Sequence, residues 1–419
     1  MDVKVTVLFK KNHKCMGYAY AKLYFCSCKL KSHYTLKTPI AITGLGSISP
    51  LGSNAEEQWN AYQETTTKIT WEEELEAFTA RLTPEGQRAI QAIRREDKNY
   101  LRIDPSVLYA IYAGRIAVTQ AGWKDGDFGI NVGSSRGATQ LFEKFFETYK
   151  ERNIVPTQAS PSTTLGNISS WLANDLKSNG PDISHSITCS TALHALLNGI
   201  AWLQSGMSTK FLVGGSEAAL TPFTLAQIRA MKLTPTEEGT SAYPSMALNL
   251  FKKNNTMVLG EGAAMACLEL GKKKNALAYV TSVGYATEKL EHAVSISSEG
   301  ECFQKSIAMA LDGTELSEID AIVMHAPGTI KGDTSEMAAI KKIFGEDVPM
   351  LTTNKWKIGH SFGASGMLSL ELAVTMLLEQ RFIGVPYLKD KSKDSPLKKI
   401  LVNAVGFGGN AVSVIVERA

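Results

Sequence analysis

Cysteine is scarce in this chain. Six residues in 419, at positions 15, 26, 28, 189, 267 and 302, are too few and too irregular for a disulfide scaffold. Free thiols fit a reducing compartment, so the cytoplasm is the expected location. Long apolar runs are also missing: none approaches the ~20 residues of a membrane span. The stretch 16–28 is broken by Lys22 and lacks a small-residue cleavage site, which argues against a signal peptide. His13-x-Cys15 and Cys26-x-Cys28 do not have the spacing of paired zinc ligands, and no bound metal is expected. A basic face is absent too. The formal charge of +3 arises from residues 1–38, where eight lysines stand against Asp2, whereas the rest holds 36 basic and 40 acidic residues. That balance gives no case for nucleic acid. The run 40–52 (IAITGLGSISPLG) lacks the third glycine and the following acid of a dinucleotide fingerprint.

What is present is an ordinary globular composition, 44% apolar and 20% charged, enough for one large unit or two fused halves. Buried-strand runs alternate with helical patterns: 40–46, a helix from Ser106, 128–132, 138–149, 210–220, 257–270, 276–285, 302–311 and 321–324. Residues 63–100 are polar and read as a surface excursion. The runs 40–46 and 321–324 each open an α/β half. The expected divisions are a basic, weakly patterned extension over 1–38, either disordered or a non-native start, which folding should tolerate losing, a first half over 39–272 and a second over 273–419.

The chain is organised around 183–205, ISHSITCSTALHALLNGIAWLQS, where a short strand turns into a helix at Cys189. A thiol at a helix start meets unpaired N–H groups, which predicts a lowered pKa and a nucleophilic thiolate. A buried structural cysteine is the alternative. Gly133-Ser-Ser-Arg-Gly137 matches the G-x-S-x-G elbow between a strand and a helix, which makes Ser135 a competing nucleophile for a serine hydrolase. Farther on, His325 ends a buried strand. His360 lies in a glycine-rich loop with Lys355 five residues earlier.

Together these motifs resemble the β-ketoacyl-acyl-carrier-protein synthases of the thiolase superfamily, of the elongating I/II type. The similarity runs from about Ile40 to the C-terminus through ITGLGSISPLG, TCSTALHA, GGSEAALTP, GEGAA, HAPGTIKGD, KWKIGHSFGASG and NAVGFGGNA. The resemblance implies the five-layered αβαβα thiolase fold built from two similar halves. It implies decarboxylating condensation of an acyl chain with malonyl-acyl-carrier protein. Cys189 would be the acyl-bearing nucleophile and His325 and His360 the pair acting in decarboxylation, with Lys355 supporting them. The backbone N–H groups of Cys189 and Phe407 would form the oxyanion hole, with Phe407 as gate. Thr329 would meet the phosphopantetheine arm, which arrives on the carrier protein, so no cofactor of the enzyme's own is implied. A homodimer, or a dimer with a homologous subunit, would pair the strand before Cys189. A non-catalytic acyl-binding subunit is a further reading, against which the retained Cys189 and histidines argue.

Three departures stand out. Pro327 replaces the first threonine of HGTxT, and Ser369 stands where relatives have a glutamate, with Glu371 two residues on. The segment 247–256 replaces an RPFD-like stretch. They suggest a specialised branch, in secondary lipid or polyketide synthesis as much as in fatty-acid synthesis.

Overall fold

A computed structural model describes residues 35–235, 241–291, 296–388 and 396–419. The His13/Cys15/Cys26/Cys28 pattern lies outside the described residues. Ten strands form one large sheet: β1 (Thr35–Ile48), β2 (Gly129–Gly133), β3 (Asp182–His185), β4 (Lys210–Glu217), β5 (Gly262–Leu270), β6 (Ala278–Ala286), β7 (Ala321–Val323), β8 (Met350–Thr352), β9 (Lys399–Gly406) and β10 (Asn410–Arg418). Their order across the sheet is β8-β7-β9-β10-β6-β1-β5-β4-β2-β3. Read outward from the β1–β6 seam, each half has its first strand, then its fifth, fourth, second and third. The pairing senses match as well. In each half the second strand is parallel to the third and fourth, and the fifth is antiparallel to its two neighbours. The halves join where β1 pairs antiparallel with β6.

The period-two alternation of the strands decides which layer each residue enters. Phe211 and Val213 of β4, with Ile400 and Val402 of β9, face one central core, whereas Leu212 and Leu401 between them enter separate outer cores. Helices α1 (Pro105–Ala121) and α2 (Asn167–Leu176) cover the outer face of the first half. Helices α3 (Thr191–Gln204) and α6 (Ser365–Glu379) fill the centre, and α4 (Glu301–Ala310) packs on the outer face of the second half, with α5 (Ile330–Phe344) against it. Five layers result, as the thiolase resemblance implies. Local chemistry sets the helix ends. Asp104 caps α1 by accepting from the Ser106 N–H at 2.9 Å, Pro105 occupies its first turn, and Gly122 closes it in the left-handed conformation.

Two expectations need correction. Residues 63–100 are no mere surface excursion: strands Thr70–Glu72 and Ala77–Ala80 and helix Pro84–Glu96 bury Ile69, Ala80, Leu82, Ile90 and Ile93, and Ala80 pairs with Gly260. The extension drawn to residue 38 overlaps β1, which starts at Thr35, and the Thr38 carbonyl accepts from Gln204 Nε2 at 3.0 Å. The helical stretch Phe362–Glu379 is long and apolar enough to cross a membrane by length and composition, yet 83% of it is buried inside the fold. It is the apolar spine between the two halves.

Candidate active site

The nucleophile candidate sits on a strained turn. After β3, Thr188 adopts φ +47°, Cys189 follows, and Ser190 is the N-cap of α3. Thr191 pins this turn, accepting from the Ile187 N–H at 2.8 Å and donating to the Thr188 carbonyl at 2.5 Å. The end of β9 presses on it. A Cβ on Gly406 would lie 2.0 Å from Thr188 Oγ1 and 2.6 Å from the Ile187 carbonyl oxygen, so only glycine lets the two segments approach. Cys189 is 4% exposed. Its thiol is not acidified as the helix-start argument predicts. Burial, and next the negative charge of Glu217, push its pKa up to about 12, while Lys355 and Arg136 pull the other way without prevailing. Cys189 precedes the N-cap rather than following it, and in this dry site the desolvation of a thiolate outweighs the helix end.

His325 lies just beyond β7, in a loop that α5 holds from below. Glu336 accepts the N–H groups of His325 and Ala326 at 3.0 and 2.9 Å, and Asp333 accepts that of Gly328 at 3.0 Å. Both carboxylates are fully buried, three residues apart on one helix face. Asp333 also accepts from Lys252 Nζ at 2.6 Å and from the Leu248 N–H at 2.8 Å, so the unusual segment 247–256 is tied to this loop. Thr329 caps α5, accepting from the Gly332 N–H at 3.1 Å.

His360 is fixed through its backbone, its N–H donating to the Val258 carbonyl at 2.7 Å and its carbonyl accepting from Gly260 at 3.1 Å. The two imidazoles meet edge to face, with centroids 5.2 Å apart and planes at 86°. Lys355, 1% exposed, donates from Nζ to Asn354 Oδ1 at 3.0 Å and Ser369 Oγ at 3.1 Å. Burial lowers the Lys355 pKa to about 8, against the opposing pull of Glu336, Cys189 and Asp333. Burial, then His360 and Lys355, hold the pKa of His325 well below its usual value; burial and Lys355 bring that of His360 to about 3. Both imidazoles are therefore neutral at neutral pH, and each can donate one N–H. Ser369 takes up Lys355, whereas Glu371 turns away to accept from Ser47 Oγ.

Cys189, Phe362 and Phe407 line two cavities. One, of about 330 Å³, also holds His325, His360, Pro327 and Thr329. The other, of about 360 Å³, holds Ser135 and Arg136. Ser135 is not set up as a nucleophile: its N–H donates to Glu217 Oε2 at 2.8 Å and its carbonyl accepts from Ser186, and no described histidine is hydrogen-bonded to it. The G-x-S-x-G match is a structural turn. Glu217 organises it, accepting from Ser134 Oγ and the N–H groups of Ser135, Arg136 and Gly363 at 2.8–3.2 Å. It thus ties the serine loop to the loop after His360. Burial raises its pKa to about 7 even though those donors oppose the rise. Sequence reasoning missed Glu217, Asp333 and Glu336. The available signal was an acid ending a buried apolar strand, and two acids on the buried face of the helix after His325.

A family model described as the β-ketoacyl synthase N-terminal domain matches residues 37–274, and one described as its C-terminal domain matches residues 277–385. The chain belongs to the β-ketoacyl synthase family. Among its relatives, the 3-oxoacyl-[acyl-carrier-protein] synthase 2 of Rhizobium meliloti (strain 1021) is 26% identical, the alignment covering 90% of this chain and 98% of that one. The 3-oxoacyl-[acyl-carrier-protein] synthase 1 of Escherichia coli (strain K12) is 24% identical, with 90% and 98% covered. A solved β-ketoacyl synthase from Burkholderia phymatum STM815 superimposes with a TM-score of 0.80 at 20% identity, over 91% of this chain and all of that one. A type II polyketide ketosynthase, solved with its acyl-carrier protein, gives 0.79 at 17% identity with the same coverage. The β9–β10 turn that carries Phe407 lies beyond the matched C-terminal segment.

Proposed function

We propose that this β-ketoacyl synthase carries an acyl chain on Cys189 and condenses it with malonyl-acyl-carrier protein, releasing carbon dioxide and a 3-oxoacyl-acyl-carrier protein, in fatty-acid or polyketide synthesis. The observation that supports this most directly is that Cys189, His325 and His360 line one cavity, with Lys355 buried behind them. Loading exchanges one thioester for another: the Cys189 sulfur bonds the acyl carbon, the carrier sulfur leaves, and the thiol proton ends on the carrier thiol. A resting thiol with its pKa near 12 stays protonated and is protected from stray alkylation or oxidation. When the malonyl carboxylate departs as carbon dioxide, charge moves onto the thioester oxygen as an enolate. Two neutral imidazoles fixed in a dry site can each donate to that oxygen, and neither needs to reorganise. The enolate carbon then attacks the Cys189 thioester. The second oxyanion falls to the backbone N–H groups of Cys189 and Phe407, and its collapse returns the sulfur.

Lys355 keeps positive charge near the enolate through its links to Asn354 and Ser369. Thr329 and Pro327 would flank the phosphopantetheine arm, which the carrier brings, so the chemistry calls for no cofactor of the enzyme's own. The partner is an acyl-carrier protein. We place the enzyme in the cytoplasm, in keeping with the free, buried thiols of Cys189, Cys267 and Cys302. We also assign the first half to residues 39–272 and the second to 273–419, a division that falls between β5 and β6.

The test separates loading from decarboxylation. Cys189→Ala should abolish acyl loading yet retain some malonyl-carrier decarboxylation. His325→Ala and His360→Ala should still load while condensation falls on the order of 100- to 1000-fold, the cost of one lost oxyanion donor. Ser135→Ala should be almost silent. Radiolabelled loading beside carbon dioxide release reads all four variants. Loading that needs Ser135 and not Cys189 would reject this reading.

A further inference from the structure

The second cavity beside Cys189 is unlike a simple alkyl tunnel. Its walls include Phe142, Phe223 and Phe362, but also Arg136, Gln227, Glu143 and Thr139. Arg136 is held at both ends. Its backbone N–H donates to Glu217 Oε1 at 3.2 Å, its guanidinium carbon lies 5.2 Å from the Phe362 ring centroid, and Nη1 donates to Gln227 Oε1 at 2.6 Å. Stacking and a bond at one corner orient the planar fork. Glu143 is engaged elsewhere, accepting from Thr221 Oγ1 at 2.7 Å. Among the described residues no carboxylate forms an ion pair with Arg136, and Gln227 takes only one of the guanidinium's five donors. Thr188, whose buried hydroxyl has no hydrogen-bond partner among the described residues, lines the same space.

We propose that the acyl group borne by Cys189 carries an oxygen acceptor, a ketone or a carboxylate, that hydrogen-bonds the Arg136 guanidinium, and that Arg136 sets the preference against plain alkyl chains. The proposal rests on the reading of Cys189 as acyl carrier. Its physical basis is the asymmetry of desolvation. A methylene chain laid against this guanidinium strips water from charged donors and returns nothing, whereas an oxygen restores the bond in charge-assisted form. The phenylalanine rings meet the apolar atoms of the same chain. Condensing enzymes that keep oxygens along the growing chain, or that start from a dicarboxylic unit, would supply such a group.

The experiment uses the full chain and three six-carbon acyl phosphopantetheine thioesters: hexanoyl, 5-oxohexanoyl and adipyl. Loading rates are read by intact mass for the wild type, Arg136→Leu, Arg136→Lys and Cys189→Ala. The wild type should load at least one oxygenated chain about tenfold or more faster than hexanoyl, the scale of a hydrogen bond to a charged group. Arg136→Leu should erase or invert that preference by accelerating hexanoyl, and a side chain that merely supports the fold would slow all three alike. Arg136→Lys should keep more of a carboxylate preference than of a ketone preference, which tells the two oxygen sources apart. Equal or faster hexanoyl loading on Cys189 in the wild type, unmoved by Arg136→Leu, overturns the proposal and leaves the condensing-enzyme reading intact. Loading that persists in Cys189→Ala overturns the acyl-carrier reading, and this proposal with it.

Discussion

His360 shows what burial does to a single side chain. It is 2% exposed, with a folded pKa near 3 against an unfolded value of about 6.5. Between those values the unfolded chain binds the proton and the folded chain does not. Stability is therefore lost as pH falls below about 6.5, and for this group the loss continues towards pH 3. Removing the imidazole removes the penalty. The free-energy difference between His360→Phe and the wild type should shift in favour of the variant by about 2 kcal/mol from pH 7 to pH 5. Urea unfolding at the two pH values measures it. A difference constant with pH would mean that the ring is not held neutral by the fold. Glu217, Glu336 and Glu371, with pKa values raised to about 7, act with the opposite sign, but they are common to both proteins and cancel in the comparison. The positions of His325, His360 and Cys189 were legible in the sequence because each follows an apolar strand or opens a small-residue loop. Their protonation states were not legible. The helix beside Cys189 is a local feature, whereas its burial and the charge of Glu217 are tertiary, and the tertiary terms are larger.

Elements meet at the site through close backbone contacts that composition does not reveal. The alternation of strands and helices showed because a buried strand is a short apolar run. The anchoring of 63–100 did not, since it depends on Ala80 finding Gly260 far along the chain. Glu217 and Glu336 stayed hidden for a related reason: a carboxylate satisfied by backbone N–H groups leaves no partner side chain to recognise. Gly406 is the sharpest case. It lets the end of β9 lie on the Cys189 turn, and an added Cβ would overlap Thr188 Oγ1. Gly406→Ala should cost about 1–3 kcal/mol, as overpacking of a filled interior does. It should also expose the thiol by pushing the Phe407 turn away. Gly166→Ala is the control, for there a Cβ meets nothing within 4 Å, and the change should be neutral or gain ~0.4–1 kcal/mol. The measurements are urea unfolding and the rate of iodoacetamide labelling of Cys189. If the two variants match in both, β9 does not brace the Cys189 turn.

At the scale of the whole molecule, the ten-stranded sheet has two open edges among the described residues, β3 and β8, and β3 is the strand that leads into the Cys189 turn. An open edge presents unpaired backbone donors and acceptors to any similar strand. Helix Thr139–Arg152, which comes after the neighbouring strand β2 in the chain, carries Phe142, Phe146 and Tyr149 at 59%, 54% and 49% exposure, with Ile154 and Val155 exposed just after it. Three aromatic rings at helical spacing, followed by two aliphatic residues, form an apolar face of the kind that interfaces cover. Two copies joined about a two-fold axis would pair β3 with its own symmetry mate and bury these faces together, which closes the edge without building a fibre. The expected mass at micromolar concentration is therefore that of a dimer. Phe142→Lys combined with Phe146→Lys should shift it towards the monomer, because charges placed in the core of an isologous contact are duplicated across the axis. Light scattering coupled to size exclusion reads both. A wild-type protein of monomer mass, or a double variant that stays fully dimeric, would show that this edge and face are not where the copies meet.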